Sequence, residues 1–196
     1  MVIIGTVITK LVKKKIKTLK EVKKVLFEKT QVDGLTGIYN REACERLVGE
    51  YLENKNPLMY GVLIIIDMDY FKQVNDRFGH KMGDDLLVEF GSILNQFFAH
   101  KDIVARLGGD EFIVFMTDIS EQDLKMIHDK LGELCKLMNR EVKYKGESQM
   151  ISLSIGAVIT KENIGFGQLY TMADEMLYEV KRNGRNGFKT RNAYRL

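Results

Sequence analysis

The chain has 196 residues, of which 45% are apolar and 29% are charged. This length fits one globular domain with an extension, and the apolar share excludes a wholly disordered chain. The net charge is +3, but residues 1–30 hold nine Lys and two Glu, which leaves −4 for residues 31–196. An acidic main domain argues against a nucleic-acid partner, because domains that bind nucleic acid usually present a basic face.

Residues 1–30 are predicted to form a separate amphipathic, basic helix. Their apolar side chains recur at gaps of three and four residues, with lysines between them. Three interpretations stay open: a dimerising coiled coil, which we favour, a helix on an anionic membrane surface, and a solvated linker. The recurring apolar residues are Ile8, Val12, Ile16, Leu19, Val22 and Leu26.

The first residues, MVIIGTVITKLVKKK, resemble the cytoplasmic end of a membrane span. Their apolar part is shorter than the roughly 18–20 residues that a span needs, so a membrane tether would have to lie upstream of residue 1. Cys44 and Cys135 lack metal-ligand spacing, and no secretory signal is recognisable. We therefore expect a cytoplasmic protein, held at the cytoplasmic face of the inner membrane if such a tether exists.

Residues 31–196 alternate between helical and strand patterns, which predicts an α+β domain with a mainly antiparallel central sheet flanked by helices. The continuous apolar run Met59–Asp67 is typical of a buried central strand. The predicted helices are Arg41–Asn54, Gly83–His100, Ser120–Asn139 and Phe166–Asn183. The other predicted strands are Ile103–Arg106, Phe112–Met116, Met150–Ile159 and a short terminal one.

Two pairs of carboxylates lie at the ends of predicted strands. Asp67 and Asp69 end the buried run, and Asp110 and Glu111 follow two glycines in RLGGDEFIVFM. If the two strands are neighbours, Asp67 and Asp110 face each other and need a hard cation such as Mg²⁺ between them. The alternative is a glycine hairpin whose tip is simply polar.

Several cations suit a phosphate ligand near these acids. Tyr70, Phe71 and Lys72 follow the aspartates on a predicted turn, where backbone N–H groups and a lysine can meet phosphate. Lys181 and Arg185 are four residues apart, which places them on one side of a helix end. The alternative for this pair is complementation of the helix dipole. The sequence has neither a Walker loop nor a G-x-G-x-x-G motif.

At this point the chain resembles the GGDEF-domain diguanylate cyclases. The motifs that carry the resemblance are DGLTGIYNRE (33–42), DMDYFKQVNDRFGHKMGDDLL (67–87), RLGGDEF (106–112), SLSIGA (152–157) and ADEMLYEVKRNGRN (173–186). The resemblance implies a ferredoxin-like core similar to the palm of nucleotide cyclases and polymerases. It also implies condensation of two GTP into cyclic di-GMP and two pyrophosphates, by a homodimer with one GTP per protomer.

The resemblance also implies roles for individual residues. Asp67, Asp110 and the Met68 carbonyl would hold Mg²⁺, two ions per GTP with Mn²⁺ as a substitute, and Glu111 would assist. It leaves open whether Asp110 or Glu111 is the general base. The substrate would be bound by Tyr70, Phe71 and Gly109, with guanine recognised by Asn75 and Asp84, supported by His80, and phosphates held by Lys72, Lys181 and Arg185.

One departure from the family pattern concerns feedback control. Many members carry an inhibitory product site, R-x-x-D, upstream of the glycine pair, and here that position has Ala99 and Asp102. Without the guanidinium, bidentate contact with the product is lost, although Lys101 could replace it in part. We expect weak or absent feedback inhibition.

Three alternatives to an active, GTP-specific diguanylate cyclase remain. They are a degenerate domain that only binds GTP or cyclic di-GMP, a scaffold that acts through the lysine-rich helix, and a cyclase of relaxed base choice. The intact catalytic positions argue against the first, nothing in the second requires the carboxylates, and Asp84 argues against the third.

Overall fold

The computed structural model describes residue 15 and residues 31–193. The predicted helix over residues 1–29 lies outside the described residues, apart from Lys15, which is helical and exposed. Within residues 31–193, no helix combines the length and apolar character needed to cross a membrane. The elements are β1 (Tyr39–Asn40), α1 (Arg41–Asn54), β2 (Tyr60–Asp69), α2 (Phe71–Phe78), α3 (His80–Phe97), β3 (Ile103–Gly108), β4 (Glu111–Ile119), α4 (Leu124–Met138), β5 (Arg140–Tyr144), β6 (Glu147–Thr160), α5 (Phe166–Arg182) and β7 (Gly187–Asn192).

The seven strands form one sheet in the order β1-β3-β4-β2-β6-β5, with β7 also paired to β6. Strand β2 lies near the centre, antiparallel to both β4 and β6. Only the β1–β3 and β6–β7 pairs are parallel. The predicted α+β fold with a mainly antiparallel sheet is therefore confirmed.

Strand β2 organises the core because it is buried along its whole length. Successive side chains of a strand point to opposite faces, so Ile64 and Ile66 pack with α3 and α4 while Leu63 and Ile65 pack with α1 and α5. Full burial of each such side chain contributes about 1.5–3 kcal/mol. The helical layers on both faces fix β2, and its carboxyl end is where the predicted acidic residues lie.

The predicted helix Gly83–His100 is present as α3, which begins earlier, at His80, and ends at Phe97, before Ala99. A break separates it from a further helix, α2, that was not predicted. The break lies at Gly79, whose φ of 85° is in the left-handed region that glycine adopts without strain. Its N–H donates to the carbonyl of Asn75 and ends α2. Phe71 and Lys72, predicted on a turn, form the first turn of α2.

The β5–β6 hairpin is an element that the sequence analysis missed. Its turn, Lys145 and Gly146, has positive φ at both positions, as two-residue hairpin turns require. The strand residues of β5 are half-buried or exposed, so the pattern lacks the apolar alternation by which strands are recognised. The predicted terminal strand is present as β7.

Both cysteines are free and buried. Burial raises the pKa of the Cys44 thiol to about 12 and that of Cys135 to about 11. Both therefore stay protonated at neutral pH and serve as small core residues.

Gly156→Ala is expected to lower the free energy of unfolding by about 1–3 kcal/mol. A Cβ at Gly156 would lie 2.1 Å from the Ala173 carbonyl oxygen and 2.4 Å from the Leu177 nitrogen, so helix α5 itself would have to move. The matched control is Gly49→Ala in α1, where a Cβ would meet nothing within 4 Å. Chemical denaturation measures both, and equal stability of the two variants would contradict this account of α5 packing.

Candidate active site

Four carboxylates meet where β2 ends. Asp67 and Asp69 lie inside the strand, not beyond it, and Asp67 is directly opposite Glu111 in the β2–β4 register. Asp110 lies in the β3–β4 turn, one residue before Glu111. Its carbonyl accepts a hydrogen bond from the Met68 N–H at 3.3 Å. The two strands are neighbours, as predicted, but the direct partner of Asp67 is Glu111 and not Asp110.

Each acid in this group makes ionisation of its neighbours less favourable. Burial, and then the charges of Asp110 and Asp69, raise the pKa of the Asp67 carboxyl, against an opposing hydrogen bond from Lys181. Burial and the charge of Asp67 likewise raise the pKa of Glu111. The site therefore carries negative charge that a bound cation would stabilise.

Two cations approach these acids from the end of α5. Lys181 lies in the last turn, with its Nζ 2.6 Å from Asp67 Oδ2. Arg185 lies beyond the helix end, where Arg185 and Asn186 both have positive φ, so a turn and not helical spacing brings it alongside. Its Nε is 3.8 Å from Asp69 Oδ1, and its guanidinium lies 5.8 Å from the centroid of the Tyr70 ring.

Asp69, recognised in the sequence as the neighbour of Asp67 but given no role of its own, joins three segments at the site. Its buried carboxylate accepts hydrogen bonds from the hydroxyls of Ser152 and Ser154, both at 2.7 Å, and from the Asn186 N–H at 3.1 Å. These contacts tie β2 to β6 and to the turn that carries Arg185. The available signal was the S-x-S alternation in SLSIGA, which puts both hydroxyls on one face of a strand.

Arg106, which opens the RLGGDEF motif but was given no role from sequence, braces the β3–β4 turn. Its Nε and Nη2 donate to the Gly109 carbonyl at 2.9 and 2.7 Å, and its Nη1 donates to Asp33 at 3.0 Å. Burial opposes ionisation of Asp33, but hydrogen bonds from Thr36 and Arg106 outweigh it and hold the pKa of that carboxyl below its ordinary value. Gly109, with φ of 55°, is thereby fixed beside Asp110.

A cavity of about 500 Å³ opens at the end of β2 and gathers most of the predicted residues. Gln73 and Asp76, which were not predicted, also line it, whereas Glu111 and Gly109 do not. Phe71 lines it too, although its side chain belongs to the core. The full lining is Asp67, Met68, Asp69, Tyr70, Phe71, Lys72, Gln73, Asp76, Asp110, Lys181 and Arg185.

The three residues implied for guanine recognition lie apart from this cavity, at the α2–α3 corner. Asn75 is half-buried in α2, while His80 and Asp84 are exposed at the start of α3. Among the described residues, the Asp84 carboxylate makes neither an ion pair nor a hydrogen bond; its neighbour Asp85 pairs with Lys81. Asp84 is therefore open to a ligand.

Ala99 and Asp102, which the resemblance implies as the remnant of a product site, lie in a loop that Asp102 stabilises. Asp102 accepts hydrogen bonds from the N–H groups of Ala99 and Thr117, both at 3.0 Å, and so closes the loop before β3. Lys101, considered as a substitute for the missing arginine, donates instead to the Asp118 carbonyl at 3.2 Å. Ala99 itself is exposed in this loop.

Comparison with known proteins identifies the class to which this fold and site belong. The model of the family "Diguanylate cyclase, GGDEF domain" matches residues 30–187. The chain belongs to the GGDEF family.

Relatives and solved structures agree with this assignment. The chain is 35% identical over 157 residues to the probable diguanylate cyclase DgcT of Escherichia coli, covering 79% of this chain and 34% of that protein. It is 35% identical over 160 residues to the diguanylate cyclase DgcS of Shewanella oneidensis, covering 80% and 51%. The chain thus spans a third to a half of these relatives.

Among solved structures, the coiled coil and GGDEF domain of DgcB from Caulobacter crescentus, in complex with c-di-GMP, superimposes with a TM-score of 0.74 at 25% identity. The match covers 92% of this chain and 95% of that one.

Asp69→Asn is expected to lower the free energy of unfolding by about 1–3 kcal/mol. An amide has one accepting oxygen, and its NH₂ would face donors that now bind the carboxylate. Chemical denaturation provides the measurement, with Asp129→Asn on the exposed face of α4 as the control that changes little. An Asp69→Asn variant as stable as the control would show that Asp69 does not join the three segments.

Proposed function

We propose that the chain is a diguanylate cyclase, which condenses two GTP molecules into cyclic di-GMP and releases two pyrophosphates. The observation that carries the proposal is the cavity at the end of β2, where acidic and cationic side chains converge. Its carboxylates Asp67 and Asp110 suit a metal, and its cations suit a triphosphate. The cations are Lys72, Lys181 and Arg185.

The donor set fits Mg²⁺. Asp67, Asp110 and the Met68 carbonyl would hold it, with Glu111 assisting, and all of these are hard oxygen ligands. Among residues 31–193, no three His, Cys, Asp or Glu side chains are grouped so that they could hold a metal ion by themselves. We propose that phosphate oxygens and water supply the other ligands. When bound, two Mg²⁺ ions per GTP, or Mn²⁺ in their place, would neutralise phosphate charge and favour ionisation of the attacking hydroxyl.

The cations of the chain would hold the triphosphate and stabilise charge as the α-phosphate reacts. Lys181 lines the cavity with its Nζ 2.6 Å from Asp67 Oδ2, so its ammonium would meet a phosphate that enters beside the acids. Arg185 pairs with Asp69 through Nε at 3.8 Å, which leaves its other guanidinium N–H groups for phosphate oxygens. Lys72 is exposed in the first turn of α2 and lines the same cavity.

Guanine would be recognised at the α2–α3 corner. The Asn75 amide can serve the N3 atom and the exocyclic amine, and the Asp84 carboxylate can accept from the N1–H and N2–H groups. Adenine does not offer those donors, so this pair selects for GTP. His80 would support the same pocket.

The reaction requires two copies of the chain. The 3′-oxygen of one GTP must attack the α-phosphorus of the other in line. Because each copy of the chain would hold one GTP in its cavity, one copy supplies only one of the two reacting nucleotides. A coiled coil formed by residues 1–29 would raise the effective concentration of the second domain. A membrane tether upstream of residue 1 would act in the same direction.

Incubation with GTP and Mg²⁺, followed by chromatography, is expected to yield cyclic di-GMP and pyrophosphate in a ratio of one to two. Asp110→Ala should lower turnover at least about 100-fold, while Asp129→Ala on α4 should not. GTP binding without any product would favour the degenerate binding domain instead. Full turnover by Asp110→Ala would remove Asp110 from the active site.

Titration with cyclic di-GMP is expected to leave activity unchanged apart from competition at the active site. The Asp102 carboxylate is engaged by two backbone N–H groups, and a guanidinium is lacking at position 99. Ala99→Arg should introduce noncompetitive inhibition, and Ala99→Lys, which lacks the bidentate fork, should introduce less. Strong noncompetitive inhibition of the unaltered chain would contradict the prediction.

A further inference from the structure

Helix α3 carries a buried glycine, Gly83, close to its start. Glycine is the least favourable residue in a helix after proline, because it loses the most conformational freedom on folding. Gly83 has no positive φ to explain it. Its presence therefore needs a packing reason.

The packing reason is the side chain of Asn75. A Cβ at Gly83 would lie 1.9 Å from Asn75 Oδ1 and 2.9 Å from Asn75 Cγ. It would also lie 3.1 Å from Cζ of Phe71. The Asn75 amide thus rests directly on the backbone of α3, in a space that any side chain at position 83 would fill.

The backbone at this corner cannot yield to such a side chain easily. Only Gly79 separates α2 from α3, and its N–H donates to the Asn75 carbonyl at 2.9 Å while its carbonyl accepts from the Met82 N–H at 3.1 Å. The Asn75 amide, by contrast, can rotate about its side-chain bonds. A methyl group at position 83 would therefore displace the amide and leave the helices in place.

Among the described residues, no hydrogen bond holds the Asn75 amide. Its Oδ1 lies against the Gly83 backbone, in the space that a Cβ there would fill, and its orientation depends on that contact. Since Asp84 follows Gly83 directly, the turn of α3 that contacts the Asn75 amide also carries the Asp84 carboxylate.

We infer that Gly83 is a positioning residue for guanine recognition. Its missing side chain sets the Asn75 amide at the place and angle from which it reads the exocyclic amine. The inference rests on the proposed function, because guanine enters through the proposed role of Asn75.

Gly83→Ala tests this with two nucleotides, GTP and inosine triphosphate, which lacks the exocyclic amine. We expect KM for GTP to rise about ten-fold, the cost of one lost hydrogen bond, and the preference for GTP over inosine triphosphate to fall by the same factor. The kcat value should stay within about three-fold, since Phe71 is the only residue of the cavity lining among the neighbours of the added Cβ, and its ring holds neither metal nor phosphate. Gly49→Ala and Gly132→Ala are matched helical controls: a Cβ would meet nothing within 4 Å at Gly49, and only Phe188 at 3.6 Å at Gly132.

A double variant separates positioning from a general effect on the fold. In an Asn75→Ala background, Gly83→Ala should leave KM and the nucleotide preference unchanged, because no amide remains to be displaced. An equal loss in both backgrounds would overturn the inference, as would an unchanged KM and preference in Gly83→Ala alone. The side-chain NH₂ resonance of Asn75, assigned with Asn75→Ala, should shift in Gly83→Ala and not in Gly132→Ala, and an unmoved resonance would also overturn it.

These outcomes are distinct from failure of the proposed function. If the unaltered chain makes no cyclic di-GMP, the proposed function fails. The NH₂ resonance of Asn75 still tests whether Gly83 positions the Asn75 amide. If Asn75→Ala leaves KM and the nucleotide preference of an active enzyme unchanged, the role of Asn75 in guanine recognition fails, and the role of Gly83 fails with it.

Discussion

The carboxylate of Asp69 joins the end of β2 to strand β6 and to the turn after α5. A buried charge is costly unless it is fully hydrogen-bonded, and Asp69 meets that requirement with two hydroxyls and a backbone N–H. Each of these donors comes from a segment that is distant in sequence. The contact therefore forms only when β2, β6 and the turn are all in place, and the position of Arg185 depends on it.

The remainder of the site is a balance of charges around Asp67. Burial and neighbouring acids oppose its ionisation, and Lys181 favours it. Such a balance is poorly stabilised by protein groups alone, so it responds strongly to whatever cation or anion enters the cavity. The turn at Gly109, braced by Arg106, and the end of α5 at Lys181 hold the opposing charges in place around the cavity.

The parts of the molecule that were predicted from sequence are those encoded locally. The apolar run that became β2 and the glycine pair before Asp110 have strong local patterns, and so their neighbourhood in the sheet could be anticipated. The break at Gly79 and the hairpin at Lys145 were missed, because each depends on the φ of one or two residues and not on periodicity. The function of Asp69 and Arg106 could not be predicted either. Their partners lie 83 and 73 residues away, for example Ser152 and Asp33, and only the register of the sheet brings them together.

The loop before β3 bears on how such a family loses and regains regulation. Asp102 accepts from the backbone N–H groups of Ala99 and Thr117, so it stabilises this loop whether or not any ligand binds there. Selection for a stable domain alone can therefore preserve such an acid. If a product site loses its arginine, half of it can persist without regulatory use, and a single substitution at position 99 would be the shortest evolutionary route by which feedback could arise. In a genome with many such domains, an aspartate at this position says little about feedback, and the residue three positions earlier says far more.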